Sequence, residues 1–328
     1  MICAAMNSGK SIVHQQEPSF SIGDVTRMTG IAEATLRVWE RRYRFPQAMR
    51  SAGGHRHYTQ EDVLHLQWVK MQMDEGMRAG RAVRARLQTS RDNAVAASLH
   101  APLPQRTPDP AIVAFQPALL QALLAYDGGV AAAILQEALA QHPLDRVVLD
   151  LIGPTLSAIG ECWSTGEAAV ATEHFASNFL RHQLLTWMRT SPPPFHVRPV
   201  VLACAPEELH EGSLLMLGVL LRRLRWPVVY LGQSLPLPDL ADLTACVKPS
   251  LIVFVAMSEA AALALAEWPQ WLAHAAKTDL PIVGYGGRAF LEHPSLAERV
   301  PGVLLGHTLD EGFQRIHRLM LDLNVLQA

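Results

Sequence analysis

FSIGDVTRMTGIAEATLRVWERRYRFPQAMRSAGGHRHYTQED, residues 20–62, decides the first part of the fold. Ser21 offers a hydroxyl to a helix N-terminus, and Asp24 completes a capping box. Ile22, Val25 and Met28 fall on one face at helical spacing. Thr29-Gly30 breaks that helix. A second helix is expected from about Ala32 to Tyr43. It turns Leu36 and Trp39 inward and places Arg37, Arg41, Arg42 and Arg44 on or near one exposed side. Gly53-Gly54 then permits a tight turn from which His55, Arg56, His57 and Tyr58 project.

A helix that enters the major groove needs side chains that reach phosphates and base edges, and Arg does both. The basic turn has the shape of a wing gripping the backbone. Arg37, Arg41, Arg42, Arg44, His55, Arg56 and Tyr58 are therefore the candidate contacts to double-stranded DNA. The plain alternative is a solvated basic helix. Four arginines within residues 37–44, followed by a basic glycine turn, tell against it.

The chain has 328 residues, 49% hydrophobic and 18% charged, which implies two or three globular domains. Its net charge of −2 conceals an asymmetry. Residues 1–100 hold 14 Lys and Arg against 9 Asp and Glu, and the remainder holds 14 against 21. The basic end is the nucleic-acid end. Cys3, Cys162, Cys204 and Cys246 form no CxxC pair, which argues against zinc and fits a reduced cytoplasm. MICAAMNSGK has no signal-peptide core. Leu251–Ala266 is too short to span a bilayer, so no membrane segment is expected.

Composition divides the chain into a winged helix-turn-helix over 18–90, an Ala- and Pro-rich linker over 91–113 and two further domains. Residues 114–192 read as four amphipathic helices, a four-helix bundle ended by Pro192-Pro193-Pro194. From Pro199 strands alternate with helices: PVVLACA, Gly212–Leu224, WPVVYLG, Pro238–Val247, SLIVFVAMS, Ala260–Lys277 with a break near Pro269, LPIVGYGG, VLLG and a last helix from Leu309. That alternation predicts a doubly wound, Rossmann-like parallel sheet over 196–328. Ligands of such sheets sit beyond the carboxyl ends of the strands. The loops after Ala205, Gly232, Met257 and Tyr285 are therefore the ones to inspect. They carry Glu208 and His210, then Ser258, then Gly286-Gly287. An imidazole there suits a metal, with a carboxylate orienting its other nitrogen. Read singly, each is equally an ordinary surface His or glycine turn. Trp163, Glu173 and His174 alone read as a core Trp and a helix-surface pair.

LRVWERRYRFP at 36–46, Gly54-x-Arg56-x-Tyr58, Asp62 and the apolar helix from about Val63 resemble the MerR family of transcription regulators. Trp163-x9-Glu173-His174, Glu208-x-His210, Ser258 and Gly286-Gly287, in that order, resemble the cobalamin-binding module of CarH/LitR photoreceptor regulators and of corrinoid methyltransferases. This resemblance implies a repressor that binds adenosylcobalamin. It implies His210 as the lower ligand to cobalt, Glu208 behind it, Ser258 and Gly286-Gly287 along the nucleotide tail, and Trp163, Glu173 and His174 over the upper face. It further implies a homo-oligomer, dimer or tetramer, that holds a DNA operator until light breaks the cobalt–carbon bond, with no substrate turnover.

The chain departs from that pattern in three places. Ser213 stands where the module's glycine is usual, with Gly212 one residue earlier. Ala260 replaces a usual Leu. Ser164 follows Trp163 where CarH-type receptors carry the His that takes the upper cobalt position after illumination. A hydroxyl is a poor cobalt ligand beside an imidazole, so that position falls to water, His174 or His182. The same fold acting without cofactor or light, a cobalamin-carrying enzyme subunit, and a sensor of another ligand such as a tetrapyrrole remain open at this level.

Overall fold

The computed structural model describes residues 19–51, 54–104, 106–273 and 280–325. It forms two compact units, one to Val95 and one from Ala96.

The first unit opens with β1 (Phe20–Ser21) and α1 (Ile22–Thr29). Ser21 and Asp24 make the capping box, and Gly30 ends α1 in the left-handed region at φ 69°. Val25 is buried and Ile22 half-buried, but Met28 is exposed, so the expected apolar face is narrower than its spacing suggested. α2 (Glu33–Tyr43) buries Leu36 and Trp39. β2 (Met49–Arg50) and β3 (Arg56–Tyr58) form an antiparallel wing, and β1 pairs with the other edge of β3. Gly53 lies outside the described residues; Gly54 takes φ 78°. α3 (Gln60–Asp74) starts on a second capping box, Thr59 with Asp62. Val63, Leu66 and Val69 bring α3 into one core with Leu36, Trp39 and Tyr58.

α4 (Ala79–His100) runs through the start of the expected linker. The alanine-rich sequence there favours helix; the described residues 101–104 and 106–109 lack regular structure before the short α5 (Pro110–Val113).

The second unit continues with α6 (Gln116–Leu124), α7 (Gly128–Gln141), α8 (Leu144–Val147), α9 (Gly153–Ser164) and α10 (Val170–Arg189). α8 and α9 are one rod interrupted by a π-type turn over Val148–Ile152. Pro154 has no amide hydrogen for the Asp150 carbonyl, and the Gly153 amide reaches back to Val148 instead. Asp150, only 1% exposed, points inward from this turn. Arg106 Nη1 lies 2.7 Å from it, Arg146 Nη1 lies 3.4 Å from it, and the Asp109 amide donates to it at 3.3 Å.

β4 (Val200–Cys204), β5 (Val228–Gly232), β6 (Leu251–Val255), β7 (Ile282–Gly286) and β8 (Val303–Leu304) form a five-stranded parallel sheet in the order β5-β4-β6-β7-β8. β4 and β6 are wholly buried, as uninterrupted apolar runs in a parallel sheet must be. The helices are α11 (Gly212–Arg223), α12 (Leu240–Val247), α13 (Glu259–Ala264), α14 (Trp268–Leu272), α15 (Arg288–Glu292), α16 (Leu296–Arg299) and α17 (Leu309–Val325). The helix expected over 260–277 is thus two short ones joined by a 3-10 turn, and residues 274–279 lie outside the described residues. Leu215, Met216, Val219 and Leu220 of α11 share one core with the bundle helices. Strand order reverses between β4 and β6, which places the switch point at the loops after Cys204 and Val255.

Two predictions follow from buried groups of the second unit. Removing one partner of a buried ion pair strands the other charge. Asp150→Ala should therefore destabilise the second unit by about 3–5 kcal/mol in denaturant titrations, and Arg106→Met added to it should recover part of that loss. His317 accepts a 2.9 Å hydrogen bond at Nδ1 from the Trp226 indole, and burial holds its pKa below the usual 6.5. The unfolded chain then binds the extra proton first, so the His317 contribution is complete above about pH 6.5 and is lost as pH falls below it. The thermal midpoint should drop between pH 7.5 and 5.5, on the order of that window, and His317→Phe should flatten the drop; an unchanged slope would contradict this.

Candidate functional site

Two constellations occupy the two units. In the first, Arg37 and Arg41 stand one turn apart on α2, both exposed, and Arg37 pairs with Glu33 at 3.3 Å. Arg42 lies 5.4 Å over the Tyr43 ring. Arg44 ends the helix, exposed, at φ 52°. His55 is exposed on the wing.

Arg56 and Tyr58 do not project as expected. Tyr58 is 0% exposed, and its hydroxyl donates to Glu40 of α2. Arg56 Nε donates to the other Glu40 oxygen at 2.8 Å. Alternation along β3 explains this: Arg56 and Tyr58 share the face turned toward α2, while His57 takes the opposite face and meets the Ser19 hydroxyl at 3.0 Å. Burial first, then Glu40, raise the Tyr58 pKa, and the bond to Glu40 raises that of Arg56. Tyr58 is thus a core residue, and Glu40, which composition did not single out, fixes the wing to the recognition helix.

In the second unit, Glu208 and His210 lie in the loop after β4. Glu208 is almost wholly buried, its side chain 4% exposed. It accepts from the His210 amide at 2.9 Å, the Met257 amide at 2.7 Å and the His210 ring Nδ1 at 2.6 Å. Burial raises its pKa, but the two amides and then the ring outweigh burial and hold the carboxyl below the usual range. An ionised carboxylate only accepts, so Nδ1 carries a proton, and the neutral ring has its lone pair on Nε2. The His210 side chain is 73% exposed. Cys204 below the loop is inert, its thiol pushed up to about 12 by burial, then by Glu208 and Glu211.

Met257 precedes Ser258, whose hydroxyl caps α13 by accepting from the Ala261 amide at 3.2 Å. Gly286 accepts from the Ala256 amide at 3.0 Å. A Cβ on Gly287 would lie 2.1 Å from the Ala256 carbonyl oxygen. Glu208, His210, Ser258, Gly286 and Gly287 thus converge on the switch point between β4, β6 and β7. Trp163, half-exposed, ends α9, while Glu173 and His174 open α10 and bond each other at 2.6 Å. Among the described residues, none of these three hydrogen-bonds to the strand-edge set. Ser164 donates to the Glu161 carbonyl at 2.9 Å.

A neutral imidazole with Nδ1 on a buried carboxylate and Nε2 outward is a preformed nitrogen ligand for one open metal position. Among the described residues no cluster of three His, Cys, Asp or Glu could hold a bare metal ion. A lone ring nitrogen suits a metal that arrives with its own macrocycle. The Ser213 hydroxyl, on the first turn of α11 three residues on, is buried without a hydrogen-bond partner.

The MerR HTH family regulatory protein model matches residues 20–86, and a B12 binding domain model matches residues 116–184. The chain is 30% identical over 284 residues to the HTH-type transcriptional repressor CarH of Myxococcus xanthus, across 87% of this chain and 94% of that one. The chain belongs to the CarH family of MerR-type regulators. A second relative is the HTH-type transcriptional repressor CarA of Myxococcus xanthus, 32% identical over 276 residues, 83% of this chain and 88% of that one. The monomethylamine corrinoid protein of Methanosarcina barkeri aligns over 63% of this chain and 98% of its own at a TM-score of 0.49 and 15% identity. This CarH-family chain is a DNA-binding transcription regulator with a cobalamin-binding domain. Among its described residues no helix is long and apolar enough to cross a membrane.

The head yields one prediction. Glu40→Ala leaves the Tyr58 hydroxyl buried and unpaired, at a cost of about 1–3 kcal/mol, and frees the wing. Binding to operator DNA should weaken, whereas Arg41→Ala should leave stability intact and reduce the salt slope by about 1. Equal salt slopes in wild type and Arg41→Ala would remove Arg41 from the phosphate contacts.

Proposed function

We propose that this regulator is a repressor whose grip on its operator is set by adenosylcobalamin held at the β4–β6 switch point, with light read through that ligand. The single observation that carries this reading is His210, presented with its proton on buried Glu208 and its Nε2 outward. When bound, adenosylcobalamin would supply a cobalt ion able to take a nitrogen ligand and a light-sensitive cobalt–carbon bond.

The chain's own residues do the rest. His210 binds through Nε2. Glu208 fixes the tautomer and strengthens the ring as a donor. Ser258, Gly286 and Gly287 line the nucleotide tail, and Gly287 keeps that turn narrow. Trp163, Glu173 and His174 shield the upper side from water. Ser164 brings no ring nitrogen to that side, so a second imidazole comes from His174 or His182 or not at all. Arg37, Arg41, Arg42 and Arg44, with His55, meet the DNA. Operators read by such heads need two copies at a fixed spacing, so the working form is a homo-oligomer, dimer or tetramer, in the cytoplasm. The ligand controls the DNA only if it binds the assembled and dissociated forms with unequal affinity. No substrate is turned over.

The test is the visible spectrum of protein mixed with adenosylcobalamin and desalted in the dark, before and after green light, beside operator binding of the same samples. The expected result is retained ligand, a spectral change on illumination and loss of operator binding. His210→Ala should remove the protein-ligated spectrum, and Glu208→Gln should weaken retention about 10–100-fold. Retention without a light response would leave a cobalamin sensor blind to light. No retention by the wild type would end the cobalamin reading.

A further inference from the structure

The loop that carries His210 holds a second buried carboxylate, Glu211, with its side chain 7% exposed. It accepts from Arg181 Nε on α10 and from the Tyr230 hydroxyl on β5. Burial first, then Glu211, raise the Tyr230 pKa, and the bond to Glu211 raises that of Arg181. The space was made for this group: Gly232, at φ 79°, would place a Cβ 3.3 Å from Glu211 Oε2. The next residue repeats the contact with the bundle, since a Cβ on Gly212 would sit 3.3 Å from Leu156 Cδ1 of α9. Residues 211–212 therefore seat the bundle, through α9 and α10, on the edge of the sheet that presents His210.

The helix geometry gives this seat a purpose. Arg181 follows His174 by seven positions, which at 100° each returns to within about 20° of the same azimuth, about 10 Å along the axis. The face of α10 that bears His174 is the face that docks on Glu211. Glu211 in turn is covalently next to His210. One ion pair, its carboxylate buried and its guanidinium partly exposed, thus joins the element assigned to the upper side of the ligand to the loop assigned to its lower side.

We propose that Glu211, with Arg181 and Tyr230, is a positioning latch that holds the bundle closed over the ligand-bearing edge of the sheet and so governs how long the ligand stays. The identity of the ligand rests on the cobalamin reading above; the latch does not. Among the described residues Glu211 hydrogen-bonds to Arg181 and Tyr230 and to neither the His210 ring nor Glu208, so it acts on the closure of the cap and leaves the His210 ligand alone. A buried carboxylate deprived of its cation, or the reverse, destabilises the closed arrangement.

The experiment compares wild type, Glu211→Gln, Arg181→Met, the double variant and His210→Ala, each loaded with adenosylcobalamin in the dark. Two quantities are read: the visible spectrum, which reports the imidazole ligand, and the rate of cobalamin loss into an excess of competing apoprotein. Glu211→Gln and Arg181→Met should keep the wild-type spectrum and lose cobalamin about tenfold faster. The double variant should lose it no faster than either single one, because one interaction is removed in all three. His210→Ala should change the spectrum itself. Wild-type loss rates in Glu211→Gln would overturn the latch, and so would a spectrum altered as in His210→Ala. Should the wild type retain no cobalamin, the cofactor reading fails and the latch is judged on the free protein by amide hydrogen exchange. Glu211→Gln must then speed exchange in residues 170–181 and 206–212 while β6 and β7 are unchanged; unaltered exchange there overturns it.

Discussion

Everything at the ligand edge of the sheet depends on one buried charge. Glu208 is out of water at the carboxyl end of β4, where an isolated carboxylate would take up a proton. Two backbone amides, from its own loop and from the loop after β6, keep it ionised. That single group therefore ties the two loops of the switch point together and dictates which nitrogen of His210 carries the proton. The sheet supplies the loops by topology alone, since strand order reverses between β4 and β6. The carboxylate turns a generic crevice into a site with one defined donor.

The head uses the same device. Glu40 is a half-buried carboxylate on the recognition helix that gathers an Arg and a Tyr from the neighbouring strand. In both units a carboxylate fixes the relation between a helix or strand and the neighbouring loop or wing. Asp150 does likewise where the π-type turn bends the third rod of the bundle and the segment after α4 is tied down through Arg106. Precision is obtained with few residues because a buried charge tolerates only one arrangement of its partners.

Much of this was legible in the sequence. The first capping box, the wing, the alternation of strands and helices from Pro199, and the placement of His210 and Gly287 on loops at the carboxyl ends of strands follow from spacing and residue type. What was not legible required knowing which polar groups face each other. Tyr58 and Arg56 read as exposed because a basic turn precedes them; only the pairing of β3 with β1 and β2 shows which side each side chain takes. Glu211, Arg181 and Tyr230 are far apart in sequence and carry no motif. The sole hint was a second Glu beside His210. The linker seemed irregular because of its prolines, yet alanines ahead of them extend α4 to His100.

Gly287 has a bearing on how such chains should be read in general. Any side chain there would collide with the Ala256 carbonyl, so the fold itself forbids replacement, whatever the pocket contains. Ser258 is likewise retained by the helix it caps. A descendant that had abandoned its cofactor would still be obliged to keep both. The outward nitrogen of His210 makes no hydrogen bond among the described residues, so folding places no such demand on it.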